Sequence, residues 1–125
     1  MVSTVSTTTD QYGSFSGFQR KTFIAAGLYW VFYGNGSKLC YRTSSDGSTW
    51  SSENQIESAL GYYVDVLFDG TYVHYVNCYG GVYYRRGTPN SNGTITWSAS
   101  EQTITGYSGI SPLNATLCVD ANGYT

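Results

Sequence analysis

Apolar and polar positions along this chain fall into short runs of five to nine residues, separated by glycine- and asparagine-bearing breaks. Arg20 to Ala26 is followed by Gly27, then by Leu28 to Tyr33, then by Gly34-Asn35-Gly36. Lys38 to Thr43 and Trp50 to Ile56 complete a first group. A second group follows in the same order: Tyr63 to Phe68, an Asp69-Gly70 break, Thr71 to Asn77, Gly80-Gly81, Val82 to Arg86, and Thr96 to Ile104. Runs this short, bounded by residues that tolerate positive φ, predict β-strands joined by tight turns. No stretch carries the 3.6-residue apolar spacing of an amphipathic helix, so the predicted class is all-β. Tyr29-Trp30-Val31-Phe32-Tyr33 is apolar without alternation, which predicts a strand covered on both faces. Ser51 to Ile56 is polar and reads as an outer strand.

The two groups repeat each other. Tyr41-Arg42 returns as Tyr84-Arg85, and Trp50 as Trp97. Gly27-Leu28-Tyr29-Trp30-Val31-Phe32-Tyr33 is echoed by Gly70-Thr71-Tyr72-Val73-His74-Tyr75-Val76. A four-strand unit with a period of roughly 40–50 residues is the mark of a β-propeller blade. The expected organisation is an outer strand of a preceding blade and a linker over 1–19, blade one over 20–58, blade two over 59–106, and the first strand of a third blade over 107–125. Leu117 to Tyr124 supports that last assignment by its likeness to Val66 to Tyr72, and Thr7 to Gly13 is similar to Thr103 to Tyr107. Two units cannot close a ring that typically holds 4–8 blades, so self-association as a homo-oligomer, or further blades of a longer chain, is expected.

Composition narrows the function. Only 11% of the 125 residues are charged against 17% aromatic and 15 glycines, which suits buried strands and not disorder. With a net charge of −2 and cations paired only at Arg20-Lys21 and Arg85-Arg86, no basic surface exists to hold nucleic acid. No apolar segment is long enough for a membrane-spanning helix, and Met1 to Thr9 lacks the pattern of a secretory leader. Cys40, Cys78 and Cys118 are odd in number and form no CxxC pair, so they read as buried free thiols and not as disulfide partners or metal ligands. No cofactor is expected. Asn-x-Ser/Thr sequons at Asn35, Asn92 and Asn114 fall in predicted loops and tilt the expected localisation toward a soluble protein of the cell surface or extracellular space.

Ser44-Ser45-Asp46-Gly47-Ser48-Thr49-Trp50 resembles the Asp-box of BNR repeats, found in sialidases and related propellers. In that family a Ser/Thr-x-Asp-x-Gly-x-Thr/Ser-Trp hairpin joins the third and fourth strands of each blade. Ser44, Asp46, Thr49 and Trp50 carry the likeness, with one residue fewer between aspartate and tryptophan; Gly47 lies in that shortened turn. The second loop, Arg86 to Thr96 ahead of Trp97, has no aspartate, and Asn90 or Asn92 is expected to stand in for Asp46. An aspartate in such a turn accepts N–H bonds within its own loop, and the tryptophan anchors the loop to the sheet. The resemblance therefore implies a structural role for Ser44, Asp46, Gly47, Thr49, Trp50 and Trp97.

A sialidase-like active site, as the resemblance implies, needs three converging arginines, a tyrosine–glutamate pair and an acid. The chain has Arg20, Arg42, Arg85 and Arg86, with Arg42 and Arg85 at equivalent repeat positions, and Arg20 lacks the family's Phe-Arg-Ile-Pro context. Asp65 interrupts an apolar strand and is the best single carboxylate, facing either a central channel or a neighbouring donor. Asp69 and Asp120 sit in turns, and His74 lies alone mid-strand. Tyr62, Tyr63 and Tyr107 are candidates for stacking on a glycan or a protein partner. Two readings result: a non-catalytic propeller module serving as scaffold or glycan- or protein-binding surface, and a fragment of a sialidase-like glycoside hydrolase with an incomplete catalytic set.

Overall fold

The computed structural model describes residues 3–7, 19–57, 63–78, 81–105 and 115–120. Within them the chain is all-β, with nine strands in two antiparallel sheets and no helix. The first sheet has the order β1 (Thr22–Ala25), β2 (Leu28–Gly34), β3 (Leu39–Ser44), β4 (Asn54–Glu57). The second runs β5 (Tyr63–Phe68), β6 (Val73–Cys78), β7 (Val82–Pro89), β8 (Ile95–Trp97), with β9 (Gln102–Ile104) also on β7. Each sheet is a meander, as expected where successive runs are joined by turns too short for a crossover. The expected strand over Thr96 to Ile104 is thus two pieces on one edge of β7, and the expected strand from Trp50 begins only at Asn54. Residues 115–120 lie outside any strand, and the remainder of the expected third-blade strand falls outside the described residues.

The sheets stack on one apolar interface. Trp30, Phe32, Leu39 and Tyr41 of the first meet Val64, Val66, Val73, Tyr75 and Ile95 of the second in one buried cluster. Phe23 bridges it, stacking on Trp30 (centroids 5.6 Å apart) and on Phe68 (5.5 Å). The segment entering β1 contacts β5: Val66 N–H donates to the Arg20 carbonyl (2.9 Å) and Lys21 Nζ to that of Val64 (3.1 Å).

The registers revise the repeat by one residue. Ala25 opposite Leu28 brackets the turn Ala26-Gly27, while the Asp69 N–H to Tyr72 carbonyl bond brackets Gly70-Thr71. Matching turn to turn sets Trp30 and Phe32 on His74 and Val76, not on Val73 and Tyr75. The shift cancels in β3, because three residues separate β6 from β7 where four separate β2 from β3. Phe32 faces Tyr41 and Val76 faces Tyr84, so the Tyr-Arg pairs remain equivalent.

Side chains alternate between faces along a strand, so a one-residue slip reverses which face each occupies. Trp30, Phe32 and Tyr41 point into the interface, whereas their counterparts His74, Val76 and Tyr84 point away from it. Conversely Val73 and Tyr75 enter the interface, and their counterparts Tyr29 and Val31 lie on the outward face of the first sheet. The sheets therefore stack in the same sense, front to back. The strand Tyr29 to Tyr33 is covered on both faces only toward its end: on the outward face Tyr33 and its register partner Cys40 are buried, whereas Tyr29 is 44% exposed and its register partner Ile24 is 64% exposed.

Candidate functional site

The loop between β3 and β4 is organised by two short side chains. Ser44 Oγ accepts the N–H of Gly47 (2.9 Å) and donates to Asp46 Oδ1 (2.9 Å), which accepts the N–H groups of Ser48 and Thr49 (2.7 Å each). Gly47 takes φ of 70°, where glycine carries no Cβ penalty. The two backbone N–H bonds hold the Asp46 carboxyl at about 2, well below the ordinary range. Its acceptor capacity faces its own loop. Half-buried Trp50 donates through Nε1 to Ser3 Oγ (3.3 Å), which donates to the Gly47 carbonyl (2.7 Å), so the N-terminal segment straps the loop down.

The loop from β7 to β8 reaches a similar end with other residues. Asn92 Oδ1 accepts both the N–H (3.1 Å) and the hydroxyl (2.7 Å) of Thr94, and Asn90 Nδ2 donates to Thr94 and Thr96 Oγ1. Gly93, at φ 81°, presses on the first sheet: a Cβ there would lie 2.8 Å from Thr43 Oγ1. Trp97 packs edge-on to Tyr75 (5.6 Å) and beneath the Arg85 guanidinium (4.7 Å).

Asp65 is 1% exposed and sits in a clasp. Its Oδ1 accepts the N–H of Arg20 (2.7 Å) and Arg20 Nε (3.2 Å), and Oδ2 accepts Arg20 Nη2 (2.7 Å) and the N–H of Leu117 (2.7 Å). Arg20 Nη2 also donates to the Leu117 carbonyl. Burial pushes this carboxyl upward, but the Arg20 fork and the two backbone donors together bring it below its ordinary value. The arrangement joins three chain segments and fills the carboxylate with protein donors. Of the tyrosine candidates, Tyr63 is half-buried on β5, and Tyr62 and Tyr107 lie outside the described residues.

A second buried polar chain had no sequence signature. His74, 1% exposed, lies between Tyr84 Oη (2.8 Å from Nδ1) and Asp69 Oδ2 (2.9 Å from Nε2). Asp69 Oδ1 accepts the N–H groups of Thr71 and Tyr72 (2.7 Å each). Burial raises the Asp69 carboxyl, yet these donors and the His74 ring outweigh it and leave the group lowered. Tyr84 and His74 meet because each is displaced to the outward face by the register described above.

The arginines do not share a target. Arg20 holds Asp65, Arg42 Nε donates to Tyr33 Oη (3.0 Å), Arg85 lies on Trp97, and Arg86 lies over the Tyr72 ring (4.6 Å). The cysteines are free: Cys40 and Cys78 are buried, with desolvation pushing the Cys40 thiol up to about 12 and the Cys78 thiol upward. Cys118, expected to be buried, is exposed. Among the described residues no helix is long and apolar enough to cross a membrane. No protein-family model matches the chain, and comparisons with curated proteins and with solved structures give no match.

Proposed function

We propose that this chain is a non-catalytic module of β-propeller type, built on Asp-box blades and acting as a scaffold whose open sheet faces engage further units of the same kind. The observation that carries this reading is the front-to-back stacking of the two sheets. A self-complementary sandwich uses up its apolar faces by pairing like with like; a front-to-back stack always leaves one front and one back. Here the open face is marked by Ile24 and Tyr29, 64% and 44% exposed, with Thr22 beside them along a shallow groove. Its structural counterpart in the second sheet is the face that buries Val73 and Tyr75 against the first. A surface of that kind, with apolar side chains beside a strand that is at the sheet edge among the described residues, is unfavourable in water and suited to a neighbouring blade.

The alternative, a fragment of a sialidase-like hydrolase, gains nothing from the geometry. Arg20, Arg42 and Arg85 each hold a different partner and Arg86 lies over Tyr72, so the four share no target, and Asp65 is saturated by Arg20 and Leu117. Sedimentation velocity over a hundredfold dilution series tests the proposal. Concentration-dependent association is expected, and a compact monomer at every concentration would overturn it.

A further inference from the structure

The outer edge of the second sheet contains a break whose shape the scaffold does not require. Trp97 is opposite Gly87 and Gln102 is opposite Tyr84, so residues 98–101 span a gap that only Arg85 and Arg86 face on β7. The surplus bows away from the strand and leaves an open recess of about 160 Å³, lined by half-buried Tyr84 and Arg85 and exposed Arg86, Ser98, Ala99, Ser100 and Gln102. Its walls are fixed: Ser98 N–H donates to the Arg86 carbonyl (2.9 Å), and Arg85 Nε donates to the Ala99 carbonyl (2.8 Å).

Arg86 is the telling residue. Its exposed guanidinium lies over Tyr72, 4.6 Å from the ring centroid, and makes no hydrogen bond or ion pair with another described residue. The cation–π contact restrains the group while leaving its N–H donors available. The hydroxyls of Ser98 and Ser100 and the Gln102 amide, which share the recess, are likewise without side-chain hydrogen bonds to described residues. We infer that this recess binds a tetrahedral oxyanion, a sulfate or phosphate group.

Size and donor count select that class. At about 30 Å³ per water, the space holds about five waters, and it falls short of the roughly 300 Å³ at which sites for drug-sized ligands begin. A single sulfate or phosphate group fits with room for water beside it. A guanidinium fork plus two hydroxyls and an amide offers more donors than the two oxygens of a carboxylate can use, and a tetrahedral anion supplies the further oxygens. With a net charge of −2 the chain has no general attraction for anions, so binding depends on the local donors.

The test is an NMR titration of the ¹⁵N-labelled 125-residue chain with sodium sulfate, sodium phosphate, sodium acetate and sodium chloride at matched ionic strength. Sulfate and phosphate are expected to give saturable shifts confined to the amides of residues 98–102 and to Arg86. Arg86→Gln should weaken binding tenfold or more, with Arg86→Lys in between. Shifts of the same size with chloride, acetate binding as tight as sulfate, or an unchanged affinity in Arg86→Gln would each overturn the inference. If Arg86→Gln loses the dispersion of its spectrum, Ser100→Ala decides: several-fold weaker sulfate binding upholds the site and unchanged binding refutes it. A glucose 6-sulfate and glucose 6-phosphate arm identifies the source. Tighter binding of an ester than of its inorganic ion assigns a ligand-borne group, the reverse assigns a free anion, and both uphold the site.

Discussion

At the scale of single residues, carboxylates that look like chemistry in the sequence are holding backbone in place. Asp65 collects four donors from Arg20 and Leu117. Removing it in Asp65→Ala strands the two backbone N–H groups and frees a guanidinium that is 44% exposed and can rehydrate. A loss of about 3 kcal/mol is expected, the low end for breaking a buried pair, read from the urea midpoint. Asp46, Asp65 and Asp69 all have folded-state values below the ordinary 3.8. Groups depressed in this way contribute stability fully above the unfolded value and lose it as pH falls through the folded one. Stability should therefore be flat near neutrality and decline below about pH 4, continuing toward pH 2 where Asp46 takes up its proton. A urea midpoint unchanged between about pH 5 and pH 2 would contradict that assignment. Asn77 presents the opposite situation: it is fully buried, and neither amide atom has a hydrogen-bond partner among the described residues. Replacing an unsatisfied buried amide by an apolar strand former removes a desolvation cost, so Asn77→Val should stabilise by about 1–2 kcal/mol in the same denaturant measurement.

At the scale of elements, strand existence was legible because turn residues punctuate the chain, while register was not. Gly27 and Gly70 look equivalent in sequence, yet Gly27 is the second residue of its two-residue turn and Gly70 the first. Nothing in the letters distinguishes those positions; only the ladder bonds do. The one-residue difference decides that His74 meets Tyr84 and that Tyr29 faces outward. The Tyr-Arg pairs aligned correctly because the shorter β6–β7 connection restored the phase. The Asp65 and Ser3 contacts were illegible for another reason, since they join residues 45 and 44 positions apart through neutral-looking segments. The β1–β2 turn also carries a cost that can be relieved. Ala26 sits at φ 53° and Gly27 at φ 77°, a pair of positive values that asparagine-glycine satisfies best. Left-handed backbone costs an alanine about 1–2 kcal/mol, so Ala26→Asn should stabilise by about 0.5–1 kcal/mol. A lowered thermal midpoint in that variant would mean that the methyl at Ala26 packs where the structure leaves it in solvent.

At the scale of the whole molecule, front-to-back stacking turns an open face into a quantitative expectation. Ile24 and Tyr29 are register partners on the outward face of the first sheet, beside the edge strand β1. Complete burial of an isoleucine side chain is worth about 1.5–3 kcal/mol, and the 64% of Ile24 now in water sets the share that association can recover. That share is about 1–2 kcal/mol, which is about tenfold in a dissociation constant. Ile24→Lys should therefore weaken association by at least about tenfold, and more if the ammonium is desolvated in the contact. The same substitution should leave the thermal midpoint of the dilute chain nearly unchanged, because Ile24 supports no contact within the buried cluster. Paired sedimentation and melting curves separate the two effects. Weaker association with an unshifted melt places the contact on the β1–β2 face. An unshifted association constant would move it to the opposite end of the stack, where Val76, Val82 and Ile104 line a groove with residues 115–118, and the exposed Ile24 and Tyr29 would then be a patch the chain leaves to solvent.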